Sequence, residues 1–276
     1  MQAANALAGA VVVTGAASGI GEGIARQAVT LGLDVLIADV AEERLTEVAE
    51  SLADGGAKVV ARAVDVADPA AVDDLAAVAF AEFERVRVVV NNAGIEATGR
   101  IWETSPETFE RVVRINLLGT FNGLRAFVPR LLDQGSEASI VNLSSMAALM
   151  SGPSLQAAYN ASKHGVQALT ETLFLELAEV EAPISVHVVN PGPVATRIFS
   201  GSTVEGAAAE AAHEEFVTLT TERGMTGLEA GEIILDGVAR GDFWISTHPE
   251  WHDAAADRRH RVVGDRAVPA LPDYPA

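Results

Sequence analysis

Val11-Val12-Val13-Thr14-Gly15-Ala16-Ala17-Ser18-Gly19-Ile20-Gly21 runs from an apolar, β-branched segment straight into a turn punctuated by glycines. Spaced glycines carry meaning when a strand precedes them and a helix follows. Gly15 allows the tight turn, Gly19 lets the backbone approach a pyrophosphate, and Gly21 permits close helix–strand packing. The unpaired N–H groups of the helix start then face the phosphates. Ser18 and Ile20, set between these glycines, belong to the same candidate site.

The strand–turn–helix rhythm continues on either side. Short apolar runs predict strands over 10–14, 34–38, 58–63, 87–90, 138–143, 184–190 and 243–246. Between them, apolar residues recur at helical spacing, as in Val72, Leu75, Ala76 and Ala79, or Leu169, Leu173 and Leu177. Continuous runs such as Val88-Val89-Val90 suit a sheet covered on both faces. The pattern predicts an α/β fold: one domain over 1–276, a doubly wound (Rossmann) parallel sheet of about seven strands, with helices on both faces. Two segments break the rhythm. Residues 192–226 follow a Pro191-Gly192-Pro193 turn and are rich in Ala, Glu and Thr, which predicts a lid or a disordered excursion over one sheet edge. The tail over 248–276 ends in Val268-Pro269-Ala270-Leu271-Pro272-Asp273-Tyr274-Pro275, too proline-rich for a helix and able to pack on a neighbouring subunit.

Asp39 closes the second predicted strand. A carboxylate there can accept both hydroxyls of an adenosine ribose and would repel a 2′-phosphate. The glycine turn holds no Arg or Lys, and Arg44 is expected on the solvated face of the next helix. NAD is therefore favoured over NADP. Further along, Tyr159-Asn160-Ala161-Ser162-Lys163 puts a phenol and an ammonium at i and i+4 of a predicted helix, on one face. A fixed Lys⁺ is expected to draw the phenol down from its ordinary pKa of about 10, making a proton-transfer pair.

Composition narrows the function classes. The chain has 276 residues, 49% of them hydrophobic and 21% charged, and no cysteine. Disulfides, thiolate zinc sites and cysteine nucleophiles are excluded. A formal charge of −19 argues against a nucleic-acid partner, and the short Arg258-Arg259-His260-Arg261 cluster does not reverse it. No apolar run approaches the ~18 residues of a membrane span, and the start lacks the basic n-region of a secretory signal. The expected location is the cytoplasm. His248-Pro249-Glu250-Trp251-His252 superficially matches a zinc-protease helix, but the Glu falls one place too late. Proline at a helix start is the better reading, and no metal site is expected.

These residues resemble the short-chain dehydrogenase/reductase family over roughly 8–247. The resemblance is carried by the glycine motif at 14–21, Asp65-Val66, Asn91-Asn92-Ala93-Gly94, Asn116, Ser144-Ser145, Tyr159-x-x-x-Lys163 and Pro191-Gly192, all in family order. It implies that Tyr159 is the general acid/base and that Lys163 holds the nicotinamide ribose and lowers the Tyr159 pKa. Asn116 would anchor a water that links Lys163 to solvent. Asp65 and Val66 would meet the adenine, and Asn92 and Gly94 would pass the adenosine ribose. Pro191, Gly192, Val194 and Thr196 would border the nicotinamide. Ser145 would bond the substrate oxygen, with Ser144 a backbone-bonding neighbour. The spacing to Tyr159 is one residue longer than the family's commonest, which places an extra residue in the 150–156 turn.

The ending Gly241-Asp242-Phe243-Trp244-Ile245-Ser246-Thr247-His248-Pro249 departs from the family's usual Asp-Gly-Gly turn. It looks like a subgroup of bacterial dehydrogenases of bulky secondary alcohols. The resemblance implies NAD as cofactor, a small-molecule alcohol or ketone as substrate, and a homo-oligomer packed through long helices over 107–132 and 154–180. Position alone assigns the substrate pocket to Ile95, Glu96, Ala147, Leu149, Met150, Gln156 and the 198–225 excursion. The competing readings are an NADPH-dependent carbonyl reductase and a non-catalytic NAD-sensing regulator.

Overall fold

A computed structural model describes residues 6–150 and 152–269; the proline-rich end of the tail, beyond 269, lies outside the described residues. Seven parallel strands form one sheet in the order β3-β2-β1-β4-β6-β7-β9. They are β1 (Ala10–Thr14), β2 (Val35–Asp39), β3 (Val59–Ala63), β4 (Val86–Asn91), β6 (Ala138–Leu143), β7 (Ile184–Asn190) and β9 (Trp244–Ser246). β1 lies between β2 and β4, with Val12 in register with Leu36 on one side and Val89 on the other.

The apolar runs separate by parity. Val11, Val13, Val35, Ile37, Val88 and Val90 enter one core layer, where α1 (Gly19–Thr30), α2 (Glu42–Ala53) and α8 (Gly227–Arg240) cover the sheet. Val12, Leu36, Val89 and Ile140 enter the other, beneath α3 (Pro69–Glu82), α5 (Gly119–Gln134) and α6 (Ala157–Glu179). Burial on both faces explains why these strands do not alternate in polarity. α1 and α8 meet through glycines: a Cβ on Gly23 would strike the backbone carbonyl of Gly227. The start of α8 is fixed by a capping box between Thr226 and Glu229.

Both expected long helices are modified. The one over 107–132 is α4 (Pro106–Val113), a wider π turn (Arg114–Leu118) and then α5. The π turn carries Asn116, whose side chain is tied to the backbone of Ile95 and to Ser162, and such bulges re-aim a side chain at a cost to helix regularity. The one over 154–180 starts later, at Ala157, because Gly152 and Leu155 take left-handed φ values of 76° and 68°.

The 192–226 excursion is not a disordered loop. It contains β8 (Thr203–Glu205), which pairs in parallel with β5 (Ala97–Gly99), and the helix α7 (Ala207–Arg223). The Glu205 carboxylate accepts from the Ser105 amide and hydroxyl, both at 2.8 Å, and from the Thr108 hydroxyl at 2.9 Å. It thereby caps the first turn of α4. The tail from Pro249 to Val263 is a helix, α9, with Pro249 in its first turn. No helix among the described residues is long and apolar enough to cross a membrane.

Candidate active site

The C-terminal ends of β1, β4, β6 and β7 open into a cleft of about 460 Å³, where the strand order reverses around β1. Open α/β sheets bind ligands at such a switch point. Gly15, Ser18, Gly19, Ile20, Asp39, Asp65, Val66, Asn92, Gly94, Ser145, Tyr159, Lys163, Pro191, Gly192, Val194 and Thr196 all line it. Gly21 and Asn116 stand behind the wall. A Cβ on Gly21 would collide with the Gly15 carbonyl, so its part is to let α1 close on the turn.

One arm of the cleft is made mostly of backbone. Gly15 has a φ of 66°, which glycine adopts without strain. The Asn92 side-chain amide donates to the carbonyls of Thr14 (2.8 Å) and Gly15 (3.0 Å), and the Asn92 amide N–H donates to the Thr14 hydroxyl. The Asn92 side chain is thus spent on locking the turn. Asp39 accepts from the Ala17 N–H at 3.0 Å with one oxygen and from the Ala41 N–H at 2.9 Å with the other. Each carboxylate oxygen keeps acceptor capacity for a hydroxyl. A turn without Arg or Lys, an anion-compatible helix start and a fixed carboxylate fit a dinucleotide with a free 2′-hydroxyl. Arg44 is exposed, as expected, but it also borders this arm.

The strand ends and α6 supply the polar centre. The Ser144 hydroxyl turns inward and donates to the Lys163 carbonyl at 2.9 Å. Ser145 is partly exposed to the cleft, its hydroxyl accepting from the Ala147 N–H at 3.1 Å. Tyr159 faces it from α6, and the Lys163 Nζ lies 5.7 Å from the Tyr159 ring centre. Lys163 is buried and donates to the Leu143 carbonyl at 2.7 Å.

The expected fall in the Tyr159 pKa is not found here. Burial pushes the phenol up to about 12; the Ser145 hydroxyl opposes this, and the nearby Glu96 charge adds to it. Burial also brings Lys163 down to about 8. Loss of water costs both charged forms, and the ammonium is engaged by a carbonyl rather than by the phenol. A Tyr and a Ser hydroxyl turned toward one point can still grip a single oxygen, and the phenol can exchange a proton with it.

The other arm is largely apolar. Met146, Met150, Ile198, Phe199, Phe216 and Leu219 line it, with the Phe199 and Phe216 rings stacked at 5.7 Å. Of the pocket residues assigned from position, Ile95, Glu96, Ala147, Met150 and Gln156 do line the cleft. Leu149 does not: it is buried in a cluster with Met146 and Ala255 of α9.

Residues 9–205 match the family described as short chain dehydrogenase. The chain belongs to that family. Among curated proteins, this short-chain dehydrogenase is 31% identical to the CLA biosynthesis dehydrogenase/reductase of Lactiplantibacillus plantarum, over 92% of this chain and 93% of that relative. It is 38% identical to the 1-deoxy-11-beta-hydroxypentalenate dehydrogenase of Streptomyces avermitilis, over 69% of this chain and 70% of that protein. Among solved structures, a short chain dehydrogenase/reductase from Burkholderia phymatum in complex with NAD superposes with a TM-score of 0.91 at 32% identity, covering 97% of this chain and 98% of that one.

One lining residue of this short-chain dehydrogenase had no local signal. Trp251 of α9 reaches the apolar arm because α9 packs on the Met146–Ala148 turn and on Leu149. The proline at the helix start was readable, but where the helix docks depends on residues about a hundred positions away. Among the described residues, no cluster of three or more His, Cys, Asp or Glu is placed to hold a metal ion.

Proposed function

We propose that this chain is an NAD-dependent oxidoreductase that interconverts a bulky, largely hydrophobic secondary alcohol and its ketone, with Tyr159 as general acid/base. The observation that carries the reading is the meeting of Tyr159, Ser145 and Lys163 where a glycine-lined arm joins an apolar one. Bound NAD supplies the hydride acceptor, a chemistry no side chain offers. Gly15, Ser18, Gly19 and Ile20 hold the pyrophosphate, Asp39 the adenosine ribose, and Asp65 and Val66 the adenine. Asn92 and Gly94 flank that ribose. Pro191, Gly192, Val194 and Thr196 border the nicotinamide. Lys163 holds the nicotinamide ribose.

Tyr159 and Ser145 grip the reacting oxygen: in ketone reduction the Tyr159 phenol donates its proton to that oxygen, in alcohol oxidation its phenolate takes the carbinol proton, and Ser145 donates a hydrogen bond to the charge that develops. Positioned acid–base groups contribute roughly 10²–10⁴-fold. Asn116 acts as a positioning residue: its side chain bonds both the N–H and the carbonyl of Ile95, next to Gly94, and so sets the wall near Lys163. A water carried there would link Lys163 to solvent, the relay through which Tyr159 gives up its proton before an oxidation and regains one before a reduction.

A relative named as a hydroxypentalenate dehydrogenase and a structural neighbour holding NAD both support this reading. The test follows NADH absorbance with purified protein, NAD⁺ and a panel of bulky secondary alcohols, with Y159F as control. Absence of turnover in both directions with NAD(H) would overturn it. One observation favours NADPH as the second reading: Arg44 borders the adenosine end. Comparing NAD⁺ with NADP⁺ in wild type and R44A decides between them. For the assembled state we propose a homo-oligomer. Phe109, Leu118, Phe121 and Leu132 on α4, the π turn and α5, and Phe174 and Leu175 on α6, are exposed apolar side chains that a second copy would cover. Light scattering on the purified protein measures it.

A further inference from the structure

Glu96 is a carboxyl in the wall of a largely apolar arm. It lies just past β4, lines the cleft, and has only 2% of its surface exposed. The Thr98 hydroxyl lies 3.1 Å from each of its oxygens, and Gln156 hydrogen-bonds to it as well. Thr98 and Gln156 are themselves buried. Gln156 sits at the foot of α6, less than one helical turn before Tyr159, and the Glu96 charge is felt at the phenol. No cation pairs with Glu96 among the described residues.

A buried carboxyl without a cation is costly to keep, and an apolar residue of similar size would be cheaper for folding alone. Two neutral groups hold it in place without consuming all of its lone pairs. Burial, opposed by Thr98 and Gln156, pushes it up to about 7. Near neutral pH it therefore passes between a hydrogen-bond donor and an acceptor, a match for a hydroxyl, which is both.

We infer that Glu96, braced by Thr98 and Gln156, is a specificity-determining residue that hydrogen-bonds a second hydroxyl on the substrate, away from the carbinol gripped by Tyr159 and Ser145. This deepens the alcohol dehydrogenase reading and rests on it. The substrate class becomes a diol, or the matching hydroxyketone, on a mostly apolar skeleton. A site built around a hydrogen bond discriminates sharply against an analogue lacking the partner, because its own polar group is left unpaired.

The test uses cyclohexanol and the three regioisomeric cyclohexanediols with the full chain. Two readouts run in parallel: kcat/KM with NAD⁺, and binding to the enzyme–NADH complex followed by tryptophan emission, since Trp251 lines the same cleft. At least one diol should exceed cyclohexanol by about ten- to a hundredfold in wild type, the range expected of a hydrogen bond to a carboxyl. In E96L that ratio should fall to within about threefold, and E96Q, which keeps the shape and a hydrogen-bonding amide, should retain an intermediate ratio. The ratio separates recognition from a merely structural role, which would lower both alcohols together. Melting and NADH affinity confirm that each variant is folded, and E96Q alone suffices if E96L is not. Equal binding and turnover of diols and cyclohexanol in wild type would overturn the inference while leaving the dehydrogenase reading intact. Tighter, Glu96-dependent binding of a diol without turnover would support the recognition and sink the dehydrogenase reading instead.

Discussion

The two arms of the cleft are built on different principles. The glycine arm is backbone held by backbone-directed bonds: Asn92 clamps the Thr14 and Gly15 carbonyls, and Asp39 is fixed by two N–H groups. The apolar arm is side chains supplied by segments far apart in sequence, from Ile95 through Phe216 to Trp251. The first is fixed by a few short bonds and tolerates little change. The second takes its shape from packing, and equivalent packings of other sizes are possible.

The strongest way to break this comparison is at the junction. Y159F should lower turnover by about a thousandfold or more while changing NADH affinity by less than about threefold, because the proton path and the glycine arm are separate. Stopped-flow rates beside a fluorescence titration of NADH check it. Comparable losses in both would show that the arms are coupled.

Next in size is D39A, which should weaken NAD⁺ by about ten- to a hundredfold and narrow or reverse the preference over NADP⁺, since a charged acceptor is lost. The ratio of kcat/KM for the two cofactors measures it, with the alcohol KM as the unmoved control. G23V addresses the support beneath that arm. Its side chain would meet the Gly227 carbonyl, and a loss of about 3 kcal/mol is expected in urea unfolding. A fully stable G23V would show that the α1–α8 contact can part freely.

E205Q probes the apolar arm. Burial alone would raise the Glu205 carboxyl, but the Ser105 and Thr108 hydrogen bonds outweigh it and hold the group below its ordinary range. A lowered carboxylate pKa adds stability above the unfolded value near 4.5 and loses it as pH falls through the folded pKa. E205Q should therefore raise KM for the alcohol several-fold at neutral pH, leave NADH binding unchanged and weaken the acid sensitivity of α7. Hydrogen exchange of α7 amides across pH reads the last effect.

The smallest expected effect lies outside both arms and calibrates them. His187 on β7 donates from Nδ1 to the Asp242 carbonyl at 2.7 Å, its Nε2 is buried without a partner among the described residues, and burial holds its pKa below the usual value. The unfolded chain then binds the proton more readily, so stability should decline as pH falls below about 6.5. H187N should flatten that slope in urea midpoints measured across pH, with no change in KM for either ligand.

What could be read in the sequence follows the same division. Gly15, Gly19 and Asp39 were legible because a backbone conformation or a strand end fixes each one locally, whereas the Ser144-Ser145 pair was legible through the family resemblance. The unbroken apolar run Val88-Val89-Val90 announced a sheet covered on both faces. Trp251 and the exclusion of Leu149 were not legible, since both depend on where α9 docks. Nor was the bond from Glu205 to Ser105, which joins residues a hundred positions apart. The direction of the Tyr159 shift escaped for another reason: helix spacing shows that Lys163 shares a face, but not that the same burial penalises both charges or that Leu143 takes the ammonium.

The β5–β8 ladder divides the excursion in two. The Val194–Met225 bridge closes the base of the excursion, and the pairs from Ala97–Thr203 to Gly99–Glu205 close its middle. What was one long loop is a pair of smaller ones sharing a seam. Residues gained or lost between 195 and 202 would change the reach of Ile198 and Phe199 while α7 kept its seat, and changes within α7 would alter the roof while 195–202 kept theirs. Two dimensions of the apolar arm can thus be varied one at a time, without disturbing the arm that holds the glycine turn.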